Sequence, residues 1–443
     1  MYLTAWSKML KYKLKKGPPM QTRNVYIVTG KRTPFVKSMT NYNQISSQEL
    51  LTAALQETVV AANLQGKCVG DVALGAVMNS SSNFGAAREA VLGTDLHPYT
   101  PAYFVQRACG TGLEAALQIA LKISNYQIDD GIAGGVDTNS DLPIEVSSRY
   151  KKFLLQLNSA KTFGERLKIF MSLSPAFLKP KIPAVVEPRT GLSMGEHCEK
   201  MVKEWNISRA DQDQLAFESH QNAAKAYEDG FHDDLVFKFH GLEKDTITRK
   251  DTTIEKLAKL KPAFDKSPAG TLTAGNSTPL TDGASTVLLA SEESIKKHGW
   301  KPLAIFKDAE VAAVDYVNGD GLLMAPTVAV GRLLKRNNLT LQDFDYYEIH
   351  EAFAGQVLCT LRAWEDPAYC KKFLGIENAL GSIDRKKMNV KGGSLALGHP
   401  FAATGGRILA SLAKLLQQTK KKRGLISICT AGGMGVAAII EGI

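Results

Sequence analysis

The chain has no CxxC pair and no paired cysteine spacing of any kind. Its six cysteines, Cys68, Cys109, Cys198, Cys359, Cys370 and Cys429, are scattered along the sequence. That argues against a disulfide framework or a zinc knuckle and for a reducing interior. His197 and Cys198 are adjacent, which is poor ligand geometry without partners, so no metal is expected. No apolar run approaches the length of a bilayer-crossing helix, so no spanning segment is expected. The first 19 residues contain no acid and no arginine, but they carry Lys8, Lys11, Lys13, Lys15 and Lys16. They also lack a long apolar core and an A-x-A cleavage site. Residues 1–20 therefore read as a basic leader, or as an over-long start with Met20 as the first residue. Acids are in deficit overall, 44 against 54 basic residues, for a net charge of +10. Such a balance suits phosphate-bearing partners or an anionic surface.

What is present is a long, ordinary globular chain of 443 residues, enough for two or three domains. "NVYIVTGKRTPF" reads as a buried strand ending at Gly30, with Pro34 barring helix. "DVALGAVM" is a second strand. "VQRACGTGLEAALQIALKI" then opens a helix, in which Leu113, Ala116, Leu117, Ala120 and Leu121 share one face. "GIAGGVD" is a glycine-rich buried strand. The last hundred residues repeat this order. "DFDYYEIHEAF" is a strand entering a loop, "GHPFAATGGRILASLAKLLQQ" opens a helix, and "GLISICTAGGMGVAAIIE" is strand, turn and strand. An internal duplication of strand, reactive loop, helix and strand is an architectural signal. In the first half "GIAGGVD" is expected to pair with "ASTVLLAS", over a hundred residues later, which would make the intervening chain an insertion. Within it "SRADQDQLAFESHQNAAKAYEDG" reads as a helix with a capping box at Ser208 and Asp211 and a stop at Gly230.

The reactive groups fall at the ends of these elements. Cys109 stands at a helix start, where unpaired N–H groups and the helix dipole stabilise a thiolate. Gly110 and Gly112 would let a substrate approach the backbone. The residues alone leave two readings of Cys109 open, a covalent nucleophile or a small buried hydrophobe. A nucleophile needs a base and an oxyanion hole. His399 offers itself in what reads as an exposed, glycine-flanked turn. Cys429 and His350 each lie at a strand end, where sheet edges collect ligands.

The motifs "RACGTG", "MGEHCEK", "TLTAGNSTPLTDGAS", "HEAFAGQ", "NVKGGSLALGHPFAATGGR" and "CTAGGMGVAAIIE", in this order, resemble the thiolase family from about residue 22 to the C-terminus. Within it the chain is most similar to the β-subunits of fatty-acid β-oxidation multienzyme complexes, because His350 stands where most thiolases have asparagine. The resemblance implies an α/β fold of two βαβαβαββ halves in a five-layer α/β/α/β/α core. Residues 21–147, completed by 273–300, would form the first half, 148–272 an inserted loop domain, and 301–443 the second half.

The resemblance also implies roles. Cys109 would attack the ketone of a 3-ketoacyl-CoA and carry the acyl group until coenzyme A removes it. His399 would activate Cys109, Cys429 would shuttle the proton of the leaving enolate, and His350 would hold the enolate oxygen. The N–H groups of Cys109 and of Gly433 or its neighbours would form the second oxyanion hole. Met194, Ser277, Thr278 and Phe353 would lie along coenzyme A, although plain core packing is the alternative for Met194 and Phe353. Ser193 departs from the histidine usual before "MG", which predicts a differently shaped pocket.

Coenzyme A is then a substrate, with no cofactor and no metal. The implied partners are acyl-CoA, a second copy of the chain and a hydratase–dehydrogenase α-subunit, with no nucleic acid. Residence would be cytoplasmic, or alternatively in the mitochondrial matrix. Two other functions remain open, a biosynthetic acetoacetyl-CoA thiolase and a non-catalytic lipid-binding relative. The stretch from Arg149 to Arg189 carries nine cations and only Glu165 and Glu187 as acids. Phe163, Leu167 and Phe170 share one helical face there. This basic amphipathic segment is expected either to touch an anionic membrane or to pack its apolar face on the core.

Overall fold

The computed structural model describes residues 22–181 and 186–443; the basic leader lies outside the described residues. In the first half, β1 (Tyr26–Arg32) leads to α1 (Ser47–Ala61), which begins where the Ser46 hydroxyl accepts the Glu49 N–H. Then come β2 (Asp71–Gly75), α2 (Ala86–Leu92), β3 (Ala102–Val105), α3 (Thr111–Ser124) and β4 (Asp130–Asp137). An excursion follows, containing α4 (Ser148–Ser159), α5 (Phe163–Phe170), α6 (Met194–Glu204) and α7 (Arg209–Glu228). The chain returns in β5 (Thr281–Ala290). It pairs antiparallel with β4 from Asp130↔Ala290 to Asp137↔Gly283, as the two glycine- and alanine-rich runs predict. The second half runs β6 (Ala304–Ala313), α8 (Ala325–Asn337), β7 (Tyr346–Ile349), α9 (Ala354–Trp364), α10 (Ala403–Thr419), β8 (Arg423–Thr430) and β9 (Met434–Glu441).

Strand order is β3-β2-β4-β5-β1 in one half and β6-β9-β8-β7 in the other. The two half-sheets join where Tyr26 and Ile27 of β1 meet Ile305 and Ala304 of β6. Helices α3 and α10 lie between them, α1 covers the outer face of the first half-sheet, and α8 covers that of the second. That is the five-layer order the family resemblance implies. Every residue of β4 and β5 is buried, because both faces are covered. Helix α10 is buried all round from Ala403 to Leu416, as a helix between two sheets must be.

Three local expectations are corrected. The buried face of α3 includes Ile119 and Ile123, while Leu121 is exposed, so the face is rotated from the one read in the sequence. The third strand of the second half shrinks to a single bridge between Tyr347 and Met388. The capping box at α7 is half made: Ser208 accepts the Asp211 N–H, but the Asp211 carboxylate bonds the Ser208 hydroxyl instead of the backbone.

The excursion serves two purposes. Helices α6 and α7 dock on α9 of the second half. Helices α4 and α5 pack mainly on each other and on the turn Pro175–Leu178. The apolar face of α5 does not reach the core. Phe163 is 82% exposed and Met171 is 79% exposed. Among the described residues, no helix is long and apolar enough to cross a membrane.

Candidate active site

Cys109 sits on a tight elbow between β3 and α3. Ala108 adopts φ +44°, a left-handed conformation that costs a non-glycine residue about 1 kcal/mol or more. The loop holds it there. The Gly110 N–H donates to the Arg107 carbonyl at 3.0 Å, and the Thr111 hydroxyl donates to the Ala108 carbonyl at 2.6 Å. Gly112 is required for a different reason from the one the sequence suggests. A Cβ on Gly112 would lie 2.6 Å from the Ala402 carbonyl oxygen, and one on Gly405 would lie 2.2 Å from the Leu113 nitrogen. The glycines let α3 and the start of α10 touch backbone to backbone, which draws the two halves together beneath Cys109.

His350 follows β7, and its N–H donates to the Ser427 carbonyl on β8 at 2.8 Å. Two residues beyond Ser427, Cys429 ends β8 opposite Gly435 of β9. His399 is buried, not exposed, because the loop before α10 folds inward and the His399 N–H donates to the Thr281 hydroxyl at 2.8 Å. Cys109 Sγ and one ring nitrogen from each of His350 and His399 lie within 4.8 Å of one another. The two imidazole centroids are 4.1 Å apart. Such a trio can offer ligands to a soft metal ion, and it is equally a nucleophile between two imidazoles. Each Nδ1 meets a hydroxyl, Ser394 at 2.7 Å for His350 and Thr404 at 2.6 Å for His399. Nε2 is the nitrogen left free on each ring.

A cavity of about 250 Å³ opens in front of this cluster, lined by Met78, Cys109, Met194, Phe353, His399 and Ala431 among others. Burial sets the protonation states. It pushes the Cys109 thiol up to about 12, against a hydrogen bond from the Ala431 N–H, with the Asp137 and Glu187 carboxylates adding to the rise. Burial lowers His399 to about 3 and His350 well below the usual range, with the nearby Arg407 cation acting in the same direction on both. At neutral pH the resting pair is thiol and neutral imidazole, not thiolate and imidazolium.

Residues 25–293 match the family model "Thiolase, N-terminal domain" and residues 300–442 match "Thiolase, C-terminal domain". The chain belongs to the thiolase family. As a thiolase it is an acyltransferase. It is 41% identical over 423 residues to the 3-ketoacyl-CoA thiolase of Shewanella baltica (strain OS155 / ATCC BAA-1091), covering 94% of this chain and 96% of that one. The 3-ketoacyl-CoA thiolase of Shewanella oneidensis is similar to the same extent, 41% over 423 residues with 94% and 96% covered. Two solved structures match closely in shape. Bacillus anthracis acetyl-CoA acetyltransferase superposes with a TM-score of 0.80 at 31% identity, covering 96% of this chain and 100% of that one. Human mitochondrial 3-ketoacyl-CoA thiolase in complex with CoA does so with a TM-score of 0.78 at 28% identity, covering 95% and 98%.

The structure of this thiolase brings most of the sequence-predicted residues together and displaces some. Met194 and Phe353 both line the cavity, and Phe353 also packs edge-on against Phe264. Thr278 lines it too, with its hydroxyl donating to the Ser394 carbonyl at 3.0 Å. Ser277 is buried, its hydroxyl has no partner, and it is not part of the cavity wall. Gly433 is off the wall as well. Its carbonyl accepts the Val314 N–H, and the residue lying against Cys109 is Ala431. Ser193 has a structural task, because it caps α6 in a capping box with Glu196.

Three carboxylates carry no sequence signal. Asp137 accepts the N–H groups of Val77, Met78 and Ala402 at 2.8–2.9 Å, tying two cavity loops to the end of β4, and burial lifts it to about 7. Glu351 accepts from Ser219, Asn389 and the Leu395 N–H, folding the glycine-rich 389–395 loop around itself. Glu187 reaches from the excursion to the Gly432 N–H at 2.7 Å. Nothing in their spacing marks them, because each acts on backbone far away in sequence.

The raised Cys109 thiol predicts how alkylation responds to pH. Thiolate is the reacting form, and its fraction grows with pH up to the thiol's own value. Iodoacetamide labelling of the Cys109 peptide is therefore expected to keep accelerating from pH 7 to 10, with acyl-CoA protecting it. The exposed Cys68 is expected to label as well, without protection. A flat rate at Cys109 between about pH 6 and 8 would mean a preformed thiolate–imidazolium pair and would contradict the burial argument.

Proposed function

We propose that the chain is a 3-ketoacyl-CoA thiolase of fatty-acid β-oxidation, cleaving a 3-ketoacyl-CoA with coenzyme A to acetyl-CoA and a shortened acyl-CoA. The observation that carries this reading is the meeting of Cys109 with the His350 and His399 imidazoles, beside an apolar cavity that Cys109 and His399 line, with Cys429 buried close to Cys109. His399 takes the Cys109 proton as Sγ attacks the C3 ketone. Neutral partners suit this, since no charge need exist before the substrate arrives. The tetrahedral adduct collapses by breaking the C2–C3 bond, and the electron pair becomes the enolate of acetyl-CoA. His350 Nε2 donates to that enolate oxygen, and Cys429 delivers the proton to carbon. Coenzyme A then attacks the Cys109 thioester, giving its proton to the Cys429 thiolate, while His399 returns the first proton to Cys109. The Ala431 and Cys109 N–H groups serve the thioester oxygen.

The test is coenzyme A-dependent cleavage of short-, medium- and long-chain 3-ketoacyl-CoAs. Turnover extending to medium and long chains is expected. Turnover of acetoacetyl-CoA alone would favour the biosynthetic reading, and none at all would favour a non-catalytic lipid-binding one. We further infer a homodimer, joined to a hydratase–dehydrogenase α-subunit, in the cytoplasm or alternatively the mitochondrial matrix. What supports self-association is the open edge of the sheet at β3, flanked by exposed Phe84 and Tyr99.

Peripheral membrane contact is supported by the exposed apolar face of α5. Phe163, Leu167 and Phe170 all lie in solvent, amid cations of which, among the described residues, Lys181 alone makes an ion pair, with Glu145 at 3.8 Å. Each lysine or arginine near an anionic bilayer contributes about 1 kcal/mol. Co-sedimentation with anionic liposomes is expected, weakening as salt rises, with little binding to neutral liposomes. No binding to either kind would leave the segment as a cover for the cavity alone.

A further inference from the structure

His350 is useful as a donor to the enolate only if its proton sits on Nε2, and the structure contains a device for placing it there. The Ser394 hydroxyl lies 2.7 Å from His350 Nδ1 and accepts an N–H from Arg407 Nη2 at 2.6 Å. A hydroxyl has one hydrogen and two lone pairs. A guanidinium never accepts, so the Arg407 bond consumes a lone pair and its direction is fixed. An Nδ1–H donated to the second lone pair would leave the hydroxyl's own hydrogen buried without an acceptor, because among the described residues Nδ1 is the only other partner this hydroxyl meets; the hydrogen therefore points at Nδ1. Nδ1 is then an acceptor, and the ring must carry its proton on Nε2. That Nε2 is buried with no partner of its own, on a ring that neighbours Cys109 and His399.

The parts of this relay are themselves held. Ser394 opens the short helix Ser394–Leu397, and its carbonyl accepts from Thr278. Gly393, just before it, leaves no room for a Cβ, which would lie 2.1 Å from the Glu351 carboxylate. Arg407 is on α10, fully enclosed, and faces the acids Glu348, Glu351 and Asp245, with the Arg32 cation opposing them. Arg407 also faces His399, and its cation disfavours a second positive charge on either imidazole.

We propose that Ser394 and Arg407 are positioning residues that lock His350 as the neutral Nε2–H tautomer, so that it serves as a ready-made donor to the enolate oxygen. The inference rests on the reading of His350 given above. It adds two residues, from the loop before α10 and from α10 itself, that touch neither substrate nor the reacting carbon.

The experiment has two parts. The first is nitrogen NMR on wild-type protein labelled with ¹⁵N-histidine, with the His350 signals assigned by their loss in His350→Asn. An unprotonated Nδ1 and a protonated Nε2 are expected at neutral pH, and a protonated Nδ1 would overturn the proposal. The second is α-proton exchange of acetyl-CoA in deuterated water, compared with acylation of Cys109. Ser394→Ala is expected to slow exchange by between about 10-fold and 10³-fold, with Cys109 acylation and the KM for coenzyme A little changed. Ser394→Thr, which keeps the hydroxyl, is expected to restore most of it. If His350→Ala slows exchange while Ser394→Ala leaves it at the wild-type rate, the tautomer lock is wrong and the role of His350 stands. If His350→Ala leaves exchange unchanged, the role of His350 itself fails.

Discussion

Replacing Cys109 with alanine is expected to lower coenzyme A-dependent thiolysis on the order of 10⁴-fold or more. The size of the effect follows from the chemistry. The acyl group has to be parked between two half-reactions, and among the described residues Cys109 is the one thiol that lines the cavity. Cys429, the other thiol near this site, is almost wholly buried and is not part of the cavity wall. Alanine removes one sulfur from a half-buried position. The elbow itself is held by backbone and Thr111 bonds that do not involve the side chain. The thermal midpoint is therefore expected to stay within a few degrees of wild type, since the lost packing costs about 1 kcal/mol. Thiolysis retained in Cys109→Ala, with the variant folded, would remove Cys109 from the mechanism.

Replacing Cys429 with alanine is expected to slow α-proton exchange of acetyl-CoA by about 10²- to 10⁴-fold, the usual worth of a positioned acid–base group. Acyl transfer onto Cys109 is expected to fall much less, because that step uses His399. The asymmetry has a structural origin. Cys429 is held at the end of β8, opposite Gly435, and burial beside Cys109 keeps its thiol well above the usual range. It is therefore a protonated donor when the enolate forms. His399→Ala is expected to slow both half-reactions, because His399 faces the nucleophile in each. Single-turnover measurements separate the two steps. Unchanged exchange in Cys429→Ala would assign the proton shuttle to another group.

Much of this arrangement is legible in the amino-acid sequence. The buried runs "GIAGGVD" and "ASTVLLAS" announce their own pairing, because a strand covered on both faces has no polar alternation to disguise it. The duplicated order of strand, loop, helix and strand places Cys109, His350 and Cys429 at strand ends, and the fold brings those ends together. What the sequence hides is long-range and polar. His399 reads as exposed because glycines flank it, whereas its burial is set by Thr281, in a strand from the other half. The resemblance points to Gly433 or its neighbours for the second oxyanion hole, and which of their N–H groups faces Cys109 is set by the turn, which places Ala431 there. Ser394 and Arg407 carry no signal, since the 12 residues between them say nothing about a relay to His350. The face of α5 is legible as amphipathic, but periodicity cannot say whether such a face meets a core or solvent.

The central claim is that Cys109 carries the acyl group. The most direct measurement is peptide mass spectrometry of the protein mixed with a 3-ketoacyl-CoA in the absence of free coenzyme A. The account predicts one acyl adduct, of the chain-shortened mass, on the Cys109 peptide, with one acetyl-CoA released per site and the adduct discharged when coenzyme A is added. Acetyl-CoA released with no adduct on Cys109, or with the adduct on another cysteine, would contradict it.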